Sequence, residues 1–122
     1  MSKGKHKKRQ QALSLLGKPL SRRARSKCEL CQNRTSLHIF EVPPLPETPD
    51  EDCAVLLCEA CQGLSTKQSN PPPAEEVYFL SEMIWSPIAP VQILAVRICR
   101  TFNYFPSQLS DLYLSPDIEA RI

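Results

Sequence analysis

Two pairs of cysteines with the same short spacing constrain this sequence more than any other feature. Each pair is of the C-x2-C type, Cys28 with Cys31 and Cys58 with Cys61, and the twenty-six residues 32–57 lie between the pairs. A C-x2-C loop aims two sulfurs at one point, and two such loops supply four thiolates to a closed tetrahedral site. We therefore predict that the four cysteines bind one structural Zn²⁺, with iron as the alternative ion.

Six cysteines in 122 residues also raise the alternative of a secreted disulfide framework. The N-terminus is basic, but the apolar stretch 12–16 that follows is too short for a signal peptide. There is also no run of about 18 apolar residues that would form a transmembrane helix. We therefore expect a reducing, cytoplasmic location, in which Cys53 and Cys99 are small apolar core residues rather than disulfide partners.

The charges are distributed unevenly along the chain. Residues 1–27 contain ten of the fifteen Lys and Arg and no Asp or Glu, so the rest of the chain carries 5 − 13 = −8. Only the N-terminal part therefore offers an electrostatic attraction to nucleic acid. The candidate phosphate-binding residues are Lys3, Lys5, Lys7, Lys8, Arg9, Arg22, Arg23 and Arg25.

The residue pattern predicts an α+β fold, in which a small zinc ribbon with two hairpin-like knuckles precedes a short helical region. Strands are predicted at 37–42 and 53–57, separated by a Pro-rich acidic loop, and helices at 20–26 and from 91 to 102. Ser107 and Ser115 resemble helix caps. Asn33 and Gly63 follow the two cysteine pairs at matching offsets and predict the same turn in both knuckles. The predicted regions are a disordered basic arm (1–19), the ribbon (20–64), a Pro-rich connector (65–76) and a helical C-terminal region (77–122).

The cysteine pairs and the strand between them are partly similar to HNH-type nucleases, which makes a metal-dependent hydrolase the alternative function. That resemblance implies further histidines near the strand end and after the last cysteine, where this chain has Phe40, Glu41 and Gln62. His38 alone cannot assemble a catalytic centre, so we predict that His38 and Glu41 are exposed strand side chains and that the protein is not an enzyme.

Three cysteine-region motifs resemble the PhnA family, which is named from alkylphosphonate-utilisation operons: 27–31 (KCELC), 40–44 (FEVPP) and 57–61 (LCEAC). The C-terminal stretches 83–86, 90–97 and 111–114 are similar to that family as well. The resemblance covers roughly residues 20–119 and implies Cys28, Cys31, Cys58 and Cys61 as the metal ligands. Many members continue into an SH3-like β domain, which this sequence lacks. The operon name suggests phosphonate chemistry, but these residues offer no catalytic group for it.

The function predicted from these features is that of a small zinc-binding module that binds another macromolecule. Nucleic acid is the leading partner, and a protein partner bound through Trp85 and the helix 91–102 is the alternative. Trp85 is otherwise expected to pack between the ribbon and the helix, with Tyr78 and Phe79 also in the core. Arg97 and Arg100 are expected to be solvated.

Overall fold

The structure, a computed structural model, describes residues 2–66 and 70–122, with side chains from residue 7 onward. Within these ranges the fold consists of helices and one two-stranded antiparallel sheet, which is consistent with the predicted α+β class. In chain order the elements are α1 (Ser2–Ser14), α2 (Gly17–Ala24), β1 (Leu37–Glu41), β2 (Ala54–Cys58), α3 (Glu59–Ser65), α4 (Leu80–Met83), α5 (Ala89–Phe102), α6 (Pro106–Ser110) and α7 (Pro116–Arg121).

The two strands lie within one residue of their predicted positions. They pair in a register that places Leu37 opposite Cys58 and Glu41 opposite Ala54. All five residues of β2 are buried, as expected for a continuous apolar run, whereas β1 turns His38 to solvent. The sheet therefore delivers the second cysteine pair from its buried strand.

Helix α5 forms the centre of the core. Eight of its fourteen residues are buried, so the buried face of the helix is wider than the single apolar stripe of an amphipathic helix. Pro90 lies in its first turn, where the missing amide hydrogen costs no helical bond. Ser115 caps α7 as predicted, because its side chain accepts a hydrogen bond from the Ile118 amide. Ser107 is not a cap, since α6 already begins at Pro106.

The sequence predicts a disordered arm over 1–19, whereas the structure has α1 and the beginning of α2 there. One arginine of α1 explains how the helix is held against the rest of the chain. Arg9 forms a two-bond ion pair with Glu41 and also donates to the carbonyl oxygens of Pro46 and Glu47. The first helix is therefore fastened to the end of β1 and to the loop that follows.

Two aromatic residues predicted to be buried lie at the surface. Trp85 is 52% exposed and Tyr78 is 60% exposed, whereas Phe79 packs partly against the core as expected. The segment turns its fully buried residues inward at Leu80, the first residue of the one-turn helix α4, and at Ile84, which follows its last residue. Tyr78 and Trp85 lie beyond the two ends of that turn. None of the helices in the described residues has the length and hydrophobicity needed to cross a bilayer.

Candidate metal centre

The four predicted ligands come together in the structure. The Sγ atoms of Cys28, Cys31, Cys58 and Cys61 all lie within 4.8 Å of one another, and those of Cys31 and Cys58 are 3.5 Å apart. Four sulfurs at 2.3 Å from a tetrahedral zinc would be separated by about 3.8 Å. Three of the four cysteines are buried and Cys31 is half-buried. The donor set and its spacing therefore fit a single thiolate-bound metal ion.

The first pair lies on a tight turn between α2 and β1. The Gln32 amide donates to the Cys28 carbonyl at 3.0 Å, and the Cys28 amide donates to the Asn33 carbonyl at 2.7 Å. The residue with the left-handed backbone is Gln32, with a φ of 72°, rather than the predicted Asn33. A turn with both cysteines inside one hydrogen-bonded loop aims their sulfurs to the same side.

The second pair is held differently, and the prediction of two matching knuckles is wrong. Cys58 is the last residue of β2 and precedes α3, and Cys61 lies in the first turn of that helix. Gly63 is inside α3 and has no positive φ, so it makes no knuckle turn. The site therefore combines one turn with one strand-to-helix junction. Sequence spacing alone could not distinguish them, since both geometries place residues i and i+3 on one side.

Hydrogen bonds between the sulfurs, together with burial, give the cysteines of the site different pKa values. A hydrogen bond from Cys61 lowers the pKa of Cys28 to about 4, against the opposing effect of burial, and backbone amides add to the lowering. The pKa of Cys61 is raised, mainly because it donates to Cys28. Burial raises the pKa of Cys31 to about 11. Such a cluster holds little negative charge by itself, so full ionisation requires a cation at its centre.

A buried ion pair supports the first pair of ligands, and the sequence analysis missed it. Glu29, between Cys28 and Cys31, is 6% exposed and accepts hydrogen bonds from Arg23 Nε at 2.9 Å and Arg23 Nη2 at 2.8 Å. The Leu56 amide donates to the same carboxylate at 2.9 Å. The sequence did contain a signal for this pair, because Glu29 is a charged residue inside a C-x2-C loop and follows Arg23 by six residues.

This ion pair also covers the outer edge of β2. The Glu29 amide donates to the Leu56 carbonyl at 2.8 Å, so Leu56 is bonded to Glu29 through both of its backbone groups. Arg23 Nη2 donates to the Ala54 carbonyl, also on β2, and Arg23 Nη1 to the Glu51 carbonyl, each at 2.7 Å. Helix α2, the ligand turn and the strand are thus joined by one arginine and one glutamate.

The structure divides the predicted phosphate-binding residues into two groups. Lys7, Lys8, Arg22 and Arg25 are exposed. Arg9 and Arg23 instead bond to carboxylates and backbone carbonyls of this chain. The side chains of Lys3 and Lys5 lie outside the described residues.

The other candidate residues have separate surroundings. His38 is exposed as predicted, but Glu41 is not a solvated carboxylate, because its side chain is 15% exposed and paired with Arg9. Cys99 is fully buried as predicted, whereas Cys53 is half-buried, with its sulfur 3.7 Å from Arg121 Nη2. Arg100 is solvated as expected.

Arg97 differs from the prediction in being half-buried. It donates to the Arg121 carbonyl at 2.5 Å, and burial lowers its pKa.

Among the predicted site residues that the structure describes, the four cysteines come together and His38 lies outside their cluster.

Comparisons with protein family models, with curated proteins and with solved structures find no match to this chain.

Proposed function

We propose that this protein is a small cytoplasmic zinc-binding module of the PhnA-like type, in which one Zn²⁺ has a structural role. The observation that carries this proposal is the convergence of the four cysteine sulfurs within 4.8 Å. Four thiolates fill a tetrahedral coordination sphere and leave no position for a water or substrate. The zinc would therefore hold the ligand turn, the sheet and α3 together instead of taking part in a reaction.

The module acts, in this proposal, by binding nucleic acid. Exposed cations on the first two helices (Lys7, Lys8 and Arg22) and directly after the second (Arg25) support this partner because they are available to phosphates. The alternative of a metal-dependent hydrolase has less support, since an all-thiolate site offers no activated water and His38 is not part of the cysteine cluster.

Metal analysis of the purified native protein tests the first part. We expect one zinc per chain and no second metal, and iron in place of zinc would contradict the proposed ion. A second metal, or one that exchanges water, would favour the hydrolase instead.

Fluorescence anisotropy with a labelled DNA duplex and an RNA hairpin tests the second part. We expect binding at about 50 mM salt that weakens steeply by about 200 mM. Failure to bind either probe at the lower salt concentration would overturn nucleic acid as the partner, without affecting the zinc site.

A further inference from the structure

Helix α2 has two faces with different roles. On the inner face, Leu20 is fully buried and Arg23 bonds to Glu29 and to two backbone carbonyls. On the outer face, Lys18 and Arg22 are exposed at i and i+4, the spacing of one helical side, and the exposed Arg25 follows directly after the last helical residue with a left-handed backbone, at a φ of 56°. We call these three residues the α2 stripe. Lys18 is a member that the sequence analysis did not single out.

The α2 stripe has no acidic neighbour to neutralise it within the helix. The sequence of α2, GKPLSRRA, contains no Asp or Glu. In the part of the chain whose side chains are described, the three ion pairs use Arg9, Arg23 and Arg121, and none uses a residue of the stripe. Lys18 and Arg22 thus present like charges to solvent from a short helix, and Arg25 adds a third just beyond its C-terminal end.

One pair of side chains connects α2 to the turn that carries the first two predicted metal ligands. Arg23 lies on α2 between Arg22 and Arg25, and Glu29 lies between the ligands Cys28 and Cys31. Their ion pair is buried on the Glu29 side, where the side chain is 3% exposed. The helix also ends in a fixed geometry, because the Ser26 amide donates to the Ser21 carbonyl at 2.9 Å.

We propose that the α2 stripe binds the phosphate backbone of nucleic acid, and that the metal centre holds the stripe in its binding position through Glu29 and Arg23. This inference rests on the proposed function and extends it, since it names the contact surface and makes nucleic-acid binding dependent on the metal. Arg23 is a positioning residue in this arrangement and does not itself contact phosphate.

The dimensions and chemistry of the stripe favour nucleic acid over a membrane surface. The four-residue step from Lys18 to Arg22 rises about 6 Å along the helix, which is close to the distance of about 6.8 Å that three successive phosphates of one strand cover along the duplex axis, at about 3.4 Å for each of the two steps. A helix that lies on a membrane needs an apolar face free to insert. The apolar residue Leu20 of α2 is already packed inside the protein and is not available for insertion.

The first test compares two double variants that remove the same charge. Arg22→Gln with Arg25→Gln removes two cations of the stripe, and Arg34→Gln with Arg100→Gln removes two exposed cations elsewhere. With a labelled DNA duplex, we expect the stripe variant to bind about tenfold more weakly and its slope of log K against log salt to fall by about 2. The control variant should change much less, and an equal loss in both would overturn the stripe.

The second test examines the connection to the metal. Arg23→Lys preserves the charge but cannot form the two-bond pair with Glu29. The apparent affinity for DNA is proportional to the fraction of molecules with α2 in its binding position. We expect that fraction to fall to about one-fifth in this variant, and the affinity therefore to fall about fivefold. Zinc content measured on the same sample should stay at one per chain. Unchanged affinity in this variant, or in the wild-type protein after chelation of the zinc, would overturn the coupling.

The outcomes separate this inference from the proposed function. A wild-type protein that binds zinc but no nucleic acid defeats the proposed partner and this inference with it. A protein that binds DNA with equal loss in the two double variants keeps the proposed function and loses the stripe. Binding to vesicles that contain anionic lipid, without binding to DNA or RNA, would replace nucleic acid by a membrane surface.

Discussion

Arg23 and Glu29 face each other through two hydrogen bonds of 2.8 and 2.9 Å, and this contact joins helix α2 to the turn that carries Cys28 and Cys31. The carboxylate also receives the Leu56 amide, so it has three donors in a buried position. A buried carboxylate with three donors is stable only while its cation remains in place. The pair is therefore part of the support of the metal centre.

Replacing Arg23 by Ala should destabilise the zinc-loaded protein by about 2–3 kcal/mol, because the Glu29 carboxylate would keep its burial and lose its cation. Urea unfolding followed by circular dichroism measures this loss. The matched control is Arg22→Ala, an exposed neighbour, for which we expect a change within about 0.5 kcal/mol. Equal effects of the two substitutions would contradict the role given to the ion pair.

Replacing Cys58 by Ser should abolish tight zinc binding, because the cluster would lose one of its four thiolates. Since structural zinc contributes directly to folding, most of the native circular dichroism signal should disappear as well. Cys53→Ser is the control: its sulfur lies beside Arg121 and outside the cluster, so one zinc per chain should be retained. Metal analysis after gel filtration distinguishes the two, and a Cys58→Ser protein with a full zinc content would refute the ligand assignment.

Replacing Glu41 by Gln should loosen helix α1, because the charge-assisted pair with Arg9 fastens that helix to β1. We expect faster hydrogen–deuterium exchange of the α1 amides, with little change in β2. Glu47→Gln is a close control, since only the backbone carbonyl of Glu47 accepts a bond from Arg9. Exchange in α1 that is unaffected by Glu41→Gln would show that other contacts hold the helix.

The buried thiol of Cys99 should make stability sensitive to alkaline pH. Burial raises the pKa of Cys99 to about 11, from 9.0 for the free thiol, so the folded state holds this proton more tightly than the unfolded state. The stabilisation is complete below pH 9 and disappears as the pH rises to 11. Unfolding free energies measured across that window should fall by about 1–2 kcal/mol more in the wild type than in Cys99→Ala.

Burial raises the pKa of Tyr104, and the charge of the Cys99 thiolate raises it further, so the difference between wild type and Cys99→Ala measures Cys99 together with its effect on Tyr104. Cys53→Ala, which alters a half-buried thiol, is the control and should keep the wild-type slope. A Cys99→Ala protein with the full alkaline decline would assign the effect to other groups.

The features that follow from local spacing could be predicted from the sequence. The C-x2-C pairs predicted the cluster, the alternation from Leu37 predicted β1, and the helical period from Val91 predicted α5. Each of these signals depends on residues close together in the chain, and each element formed within a few residues of its predicted position.

The features that depend on distant partners could not be predicted in the same way. The sequence around Arg9 is as basic as that around Arg22, but the partner of Arg9 is Glu41, 32 residues further on, and the two meet only once β1 is placed. Gly63 suggested a turn because glycine tolerates positive φ, but the helix that follows β2 includes it. The large apolar side chain of Trp85 suggested a core residue. In the structure Trp85 lies just after the single turn of α4 and is exposed to solvent.

The bonding of Leu56 to Glu29 has a consequence for association between molecules. A sheet of two strands has an unpaired edge on each side, and the apolar β2, with the sequence AVLLC, would be a strong template for another strand. Here the ligand turn occupies that edge, with Glu29 taking the place of a neighbouring strand. Loss of the metal would free the turn and uncover the edge, so we expect the metal-free protein to aggregate through β2 as well as lose its native fold.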